Sequence, residues 1–321
     1  MTLNLMLTSR EAVYLSADFR LVSVDDQSPL PDSYDTQKLI PVIRREWCAL
    51  IAYMGIASAP PLIDDMGQWI VDQLDALPTG VGIPALSAQL LQLNRRLDRI
   101  RGDRRIAISV VGFRDRQPFM LLLSNFVDLD GHVSAASPQL RAYLRTPHRP
   151  EVRAVGTARP DVFERVRLVR MLMAKAARGT VPQLIRQAVA DVNASVARRS
   201  GGAISEACVS GYLLRSGAAA IGGHGIPQDA ACFPNWLRRD LAREGVVGFA
   251  PVQQGAGTAP IHWKGTSARI VKGSMVRTHE IVNAGSPILD GVERRHRTPT
   301  WTSTQDDASR VVSVTFYTPT T

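Results

Sequence analysis

Polar and apolar residues alternate through the first two dozen positions of the chain, and this alternation constrains the fold more than any other feature. Val13, Leu15, Ala17, Phe19 and Leu21 point one way along an extended chain, and Tyr14, Ser16, Asp18 and Arg20 the other. Residues 2–8 and 13–23 therefore read as two strands joined by the polar turn Ser9-Arg10-Glu11-Ala12. After a proline-punctuated loop at 25–35, strand signals return at 37–43 and 47–56, on either side of Arg44-Arg45-Glu46. Leucine, isoleucine and methionine at helical spacing then predict helices over 61–77 and 84–101, separated by Thr79-Gly80-Val81-Gly82. Strands follow at 105–113, 117–127 and 132–135, with shorter pieces at 141–144 and 152–156. Two more helices are predicted over 160–178 and 181–199. Pro160 starts the first, Gly179 stops it, and Thr180 and Pro182 open the second. A last strand is expected at 203–214.

Strands, two helices, strands, two helices, strand is not the regular alternation of a parallel doubly wound sheet. Strands arriving in hairpins and helices arriving in pairs predict an α+β fold of antiparallel sheets covered by helix layers. The texture changes from residue 216, where Gly, Ala and Pro are dense. We divide the chain at 215, with 216–321 as a C-terminal extension. It holds a helix expected at 234–243 and short strands expected at 246–252, 267–272 and 310–317. Gly222-Gly223-His224-Gly225 and Gly255-Ala256-Gly257 read as flexible turns, since neither completes a phosphate-binding loop.

Several function classes are excluded by what the chain lacks. No run of 18 apolar residues predicts a membrane span, and the start has no basic region or unbroken apolar run of a secretory signal, so the expected location is cytoplasmic. Cys48, Cys208 and Cys232 are odd in number and far apart, which fits buried free thiols better than disulfides or zinc. The six histidines show no metal-binding spacing, and no GxSxG elbow occurs. Asp64-Asp65 reads as an acid pair favoured at a helix start. The net charge of +9 is uneven: between 151 and 200, ten Arg/Lys stand against four acids. Such a stretch suits nucleic acid, an acidic partner, an anionic surface or a solvated helix face, and no aromatic residues interleave as a base-stacking platform would need.

The first hairpin carries the chemistry. With a turn centred near residue 10, paired residue numbers add to about 20, which sets Thr2 opposite Asp18 and leaves Arg20 on the same face. A small second residue is the usual condition for removing an initiator methionine. Removal of Met1 would give Thr2 a free α-amine of pKa about 8. One residue then holds both a hydroxyl nucleophile and a base. The amine must be neutral to act, and a nearby cation lowers its pKa. Lys38, the only lysine in the first 170 residues, is the candidate cation.

Thr2, Asp18 and Arg20 at this spacing, Lys38 before an apolar strand, and Tyr53-Met54-Gly55-Ile56-Ala57 ending the next strand resemble the proteasome β-type subunits. These are threonine peptidases of the N-terminal nucleophile hydrolase superfamily. The resemblance covers about residues 2–214 and implies a four-layer αββα sandwich of two antiparallel sheets. It implies Thr2 as nucleophile, Lys38 as the cation that tunes its amine, Asp18 as the acid holding Lys38, and Arg20 as a brace. The Gly55 N–H would donate to the oxyanion, and a glycine suits that role because substrate backbone must come close. Leu21, Tyr53 and Ala57 fall where the family lines a specificity pocket. Thr157 and Ser200 fall where it places supporting hydroxyls, and Ala197 stands where it has an acid. No cofactor or metal is implied. The implied partners are a peptide or small amide substrate, further copies of the chain in a homo-oligomeric ring, and an ATPase or acidic partner. The alternative is a weak or inactive homologue that serves as an oligomeric scaffold or binding protein.

Overall fold

The computed structural model describes residues 3–21, 32, 38–44, 46–78, 80–134, 136–137, 139–156, 166–179, 181–215 and 219–225, and beyond these the strand segments 248–249, 262–271, 274–283, 305–306, 309–310 and 313–316. The architecture is α+β, and both large sheets are antiparallel. The first contains β1 (Leu3–Thr8), β2 (Ala12–Asp18), β8 (Glu151–Gly156), β9 (Cys208–Leu214), β10 (Ala219–His224) and β16 (Ser313–Phe316), in the order β16-β10-β9-β2-β1-β8. The second runs β3 (Leu39–Ile43), β4 (Trp47–Gly55), β5 (Ile106–Arg114), β6 (Gln117–Ser124) and β7 (Arg141–Arg145) in chain order. Smaller sheets join β11 (Gly248–Phe249), β12 (His262–Val271) and β13 (Ser274–Asn283), and β14 (Gln305–Asp306) with β15 (Ser309–Arg310).

Five helices occur among the described residues. They are α1 (Met66–Asp75), α2 (Ile83–Leu90), α3 (Asn94–Leu97), α4 (Val166–Ala177) and α5 (Pro182–Ala197). Asp65 caps α1, its carboxylate accepting the Gln68 N–H at 2.7 Å. The helix expected over 84–101 divides into α2, a 3₁₀ turn at Leu91–Leu93 and α3, yet Leu86, Leu90, Leu93 and Leu97 all stay buried on one side. The helix expected at 234–243 lies outside the described residues.

Three apolar clusters organise these elements. Met6, Val13 and Leu15 of the first sheet pack with Leu50, Val111 and Leu122 of the second. The other face of the second sheet, including Trp47, Ile51 and Ile108, meets α1, α2 and α3 through Ile70, Leu86 and Leu97. The other face of the first sheet, including Leu3, Leu5 and Tyr14, meets α4 and α5 through Leu172, Val189 and Val196. β1 and β2 are therefore buried on both faces. The polar face of β2 is covered by a helix rather than by water, with Tyr14, Ser16 and Asp18 at most 1% exposed.

Beyond the unexpected strands β13 and β14, the structure departs from the expected strands in four places within residues 1–225. β2 stops at Asp18 instead of running to 23, because the Phe19 N–H turns to the Ala207 carbonyl, 3.4 Å away. The strand expected at 132–135 is a single Val127–Val133 bridge around a turn in which Asp128 accepts the His132 N–H at 2.9 Å. The strand expected from 203 begins at Cys208, after a turn with positive φ at Gly201 and Gly202. Gly222, Gly223 and His224, read as a flexible turn, lie in β10 and pair with Ser210, Val209 and Cys208. The first sheet thus takes in residues past position 215.

Candidate functional site

Three of the residues singled out in the sequence, Asp18, Arg20 and Lys38, meet at the open end of the β1–β2 hairpin. Asn4 pairs with Ala17, so paired numbers add to 21, one more than expected. Asp18 consequently serves Leu3, whose N–H donates to its Oδ1 at 3.1 Å. Its Oδ2 accepts two more N–H groups, from Arg20 at 3.2 Å and Ser205 at 3.0 Å. Lys38 stands at the start of β3, where Leu39 pairs with Ala52 of β4. Its Nζ donates to the Arg20 carbonyl at 2.6 Å. Asp18 and Lys38 are 0% and 2% exposed.

Such burial works against both charges. Burial pushes the Asp18 carboxyl up from the ordinary carboxylate range, opposed by the Lys38 charge and the three backbone N–H donors. Burial likewise pushes the Lys38 ammonium down, opposed by Asp18 and Asp32 and assisted by Arg20.

Gly55 ends β4 on the side where β3 begins. Its φ of +90° and its close approach to the Arg105 carbonyl both require glycine, since a Cβ would lie 1.9 Å from that oxygen. Ser200 sits just past α5. Its hydroxyl donates to the Ala197 carbonyl at 2.8 Å and accepts from the Ile204 N–H at 3.3 Å, so it shapes the turn that delivers Ser205. Ala197 is 2% exposed, in the contact between α5 and the first sheet. Tyr53 and Ala57 belong to the cluster beneath α1–α3, and burial pushes the Tyr53 hydroxyl far above its usual range. Leu21 is partly exposed. Thr2 and Thr157 lie outside the described residues.

Two participants were not marked by any sequence pattern. Asp32 lies 2.8 Å from Arg20 Nε, and its Oδ2 accepts the Ser205 hydroxyl at 2.5 Å. Ser205 thus joins two carboxylates, Asp18 through its N–H and Asp32 through its hydroxyl. Their separations in sequence from Ser205, 187 and 173 residues, leave no local signal to find them by.

Elsewhere, Cys48 and Cys208 are buried free thiols, each pushed up by burial, and Cys232 lies outside the described residues. No group of three His, Cys, Asp or Glu placed to hold a metal occurs among the described residues. None of the described helices is long and apolar enough to cross a membrane. A cleft of about 780 Å³ opens at the turn end of the hairpin, lined by Arg10, Arg116, His148, Arg149 and Arg215 among others, and contains none of the predicted site residues.

No family model and no curated protein matches the chain. Solved structures similar to it include an Anbu Gly-1 mutant from Hyphomicrobium sp. strain MC1, at 11% identity and a TM-score of 0.43, covering 67% of this chain and 82% of that one. Another is Anbu, described as an ancestral beta-subunit, from Yersinia bercovieri, at 11% identity and a TM-score of 0.40, covering 67% and 81%. The absence of a matching family model or curated protein corrects the membership that the Thr–Asp–Arg and Lys motifs implied, and the chain is not assigned to the proteasome β-type threonine peptidases.

Proposed function

We propose that the chain is an amide hydrolase whose nucleophile is the Thr2 hydroxyl, freed to act by removal of Met1. The observation that carries this reading is the Leu3 N–H bound to Asp18 Oδ1 at 3.1 Å, which ties the residue after Thr2 to a buried acid that shares Arg20 with the buried Lys38. The three clusters that alternate helices, sheet, sheet and helices support a four-layer αββα arrangement around that site.

The Thr2 oxygen attacks the carbonyl carbon of a peptide or small amide, and its proton passes to the neutral α-amine. Lys38 keeps that amine's proton affinity low, and Asp18 and the Arg20 carbonyl keep Lys38 in place. The Gly55 N–H donates to the oxyanion. The carbon–nitrogen bond breaks, the amine leaves with the transferred proton, and water then hydrolyses the acyl-threonine ester to release the acid.

Intact mass spectrometry tests the proposal directly. The expected result is a chain lacking Met1 that gains one adduct on Thr2 with a threonine-directed electrophile. A retained Met1, an unmodified Thr2, or substrate turnover by Thr2→Ala would each overturn it. Assembly of several copies belongs to the same reading. It is supported by Met171, Val181 and Leu184, exposed around the α4–α5 connection, and a monomeric mass in light scattering would remove it.

A further inference from the structure

Asp32 closes a ring of contacts around the buried pair. From Asp32, one arm runs through Arg20, with its Nε 2.8 Å from the carboxylate. The Arg20 N–H reaches Asp18, and its carbonyl accepts from Lys38. The other arm runs through the Ser205 hydroxyl to the Ser205 N–H on Asp18. The Ser205 hydroxyl also accepts the Ala207 N–H at 3.1 Å, which fixes the direction of its donated proton toward Asp32. Two of the three donors on Asp18, and the acceptor that holds Lys38, are thus anchored by one carboxylate.

Charge balance gives this carboxylate a second role. Arg20 and Lys38 are two cations, and among the described residues that face them only Asp18 would remain as counter-charge without Asp32. Ala197, the last residue of α5, brings no charge to the cluster and is buried in an apolar contact. We propose that Asp32 is the positioning acid of the site, holding Arg20 and Ser205 so that Lys38 and Asp18 keep their geometry and the cluster keeps equal numbers of positive and negative groups. Its catalytic consequence rests on the hydrolase reading, but its geometry does not.

Among the described residues, the charged groups facing Lys38 are Asp18, Asp32 and Arg20, and the buried Cys208 thiol beside Asp18 is neutral. Asp32 raises the proton affinity of Lys38, so its loss moves the Lys38 titration to lower pH. The chain has only four lysines, Lys38, Lys175, Lys264 and Lys272, so selective ¹³C-lysine NMR of the full chain resolves each.

The test compares wild type with Asp32→Asn, Asp32→Glu and Ser205→Ala, the last keeping the N–H on Asp18. In Asp32→Asn, the Lys38 signal is expected to titrate at lower pH than in wild type, and Asp32→Glu restores it. Ser205→Ala shifts it less in the same direction, and supplies the answer if Asp32→Asn does not fold. In acylation by the electrophile, the Asp32→Asn plateau rate falls on the order of tenfold to a hundredfold, and the alkaline limb of the rate profile, where Lys38 loses its charge, moves to lower pH. A merely structural residue would lower the plateau and leave the limb where it was. A Lys38 titration that is the same in wild type and variants overturns the proposal, whether or not acylation occurs. A shifted titration with no acylation of wild type supports the role of Asp32 and removes the hydrolase reading instead.

Discussion

In equilibrium urea unfolding, Asp18→Asn is expected to lose about 3–5 kcal/mol of stability, because breaking one side of a buried charge cluster leaves the other uncompensated. Lys38, 2% exposed, would keep only Asp32 as counter-charge against itself and Arg20. The amide brings a second fault. Asp18 Oδ2 accepts the N–H groups of both Arg20 and Ser205, and Oδ1 that of Leu3. An asparagine must aim an NH₂ at one or two of these donors, and each buried donor left without an acceptor costs about 1–3 kcal/mol. The loss should therefore fall at the upper end of the range.

Lys38→Met should behave differently, because Asp18 can answer by taking up a proton. Burial already raises its folded-state pKa, and removing Lys38 removes the largest influence that lowers it. A carboxyl whose folded pKa lies above its unfolded value of about 3.9 contributes stability that is full below that value and is lost as pH rises through the folded pKa. Lys38→Met is thus expected to be closest to wild type at about pH 4 and to fall behind it toward neutrality. Unfolding curves at a series of pH values check this, and a gap from wild type that does not widen with pH would contradict it.

Gly55→Ala is the second large effect, expected to cost about 3–5 kcal/mol. Two causes add. A φ of +90° strains any L-residue by about 1–3 kcal/mol. The new Cβ would also sit 1.9 Å from the Arg105 oxygen, 2.8 Å from its carbonyl carbon and 3.0 Å from Ile106 Cα. These are main-chain atoms, so no side chain can swing aside. The start of β5 must move, and the Arg105 carbonyl would lose the Ile56 N–H it accepts at 3.3 Å. Hydrogen exchange should show Ile56 opening first. If the Gly55 N–H serves the oxyanion, the folded fraction of the variant should also acylate slowly, so a variant as stable and as reactive as wild type would contradict both parts.

The legibility of this molecule in its sequence follows the range of the interactions involved. Alternation over 3–8 and 12–18 revealed β1 and β2, and the leucines at 86, 90, 93 and 97 revealed the buried side of α2 and α3, because each pattern repeats within a turn or two of itself. Lys38 stood out because lysine is rare in the chain, and the structure places its Nζ against Arg20, as Asp18 is placed against Leu3 and Arg20. The strand AAIGGH was missed because glycine and alanine give no alternation, and pairing with Cys208–Leu213 makes it β10. Whether Ser16 and Asp18 face water or protein is equally invisible in β2 itself, since α5 covers them from far along the chain. Asp32 and Ser205 are the extreme case, as hydrogen-bonding residues with no periodicity around them.

The 187 residues between Asp18 and Ser205 also set a schedule for synthesis. At ribosomal rates of roughly 5–20 residues per second, the hairpin bearing Asp18 waits about 10–40 s for its last backbone donor. During that interval the carboxylate has only its two nearby N–H groups, from Leu3 and Arg20. A nascent chain arrested before Ser205 should therefore hold a hairpin with an unfinished charge cluster. The step that buries Asp18 for good waits until α5 and β9 have left the ribosome.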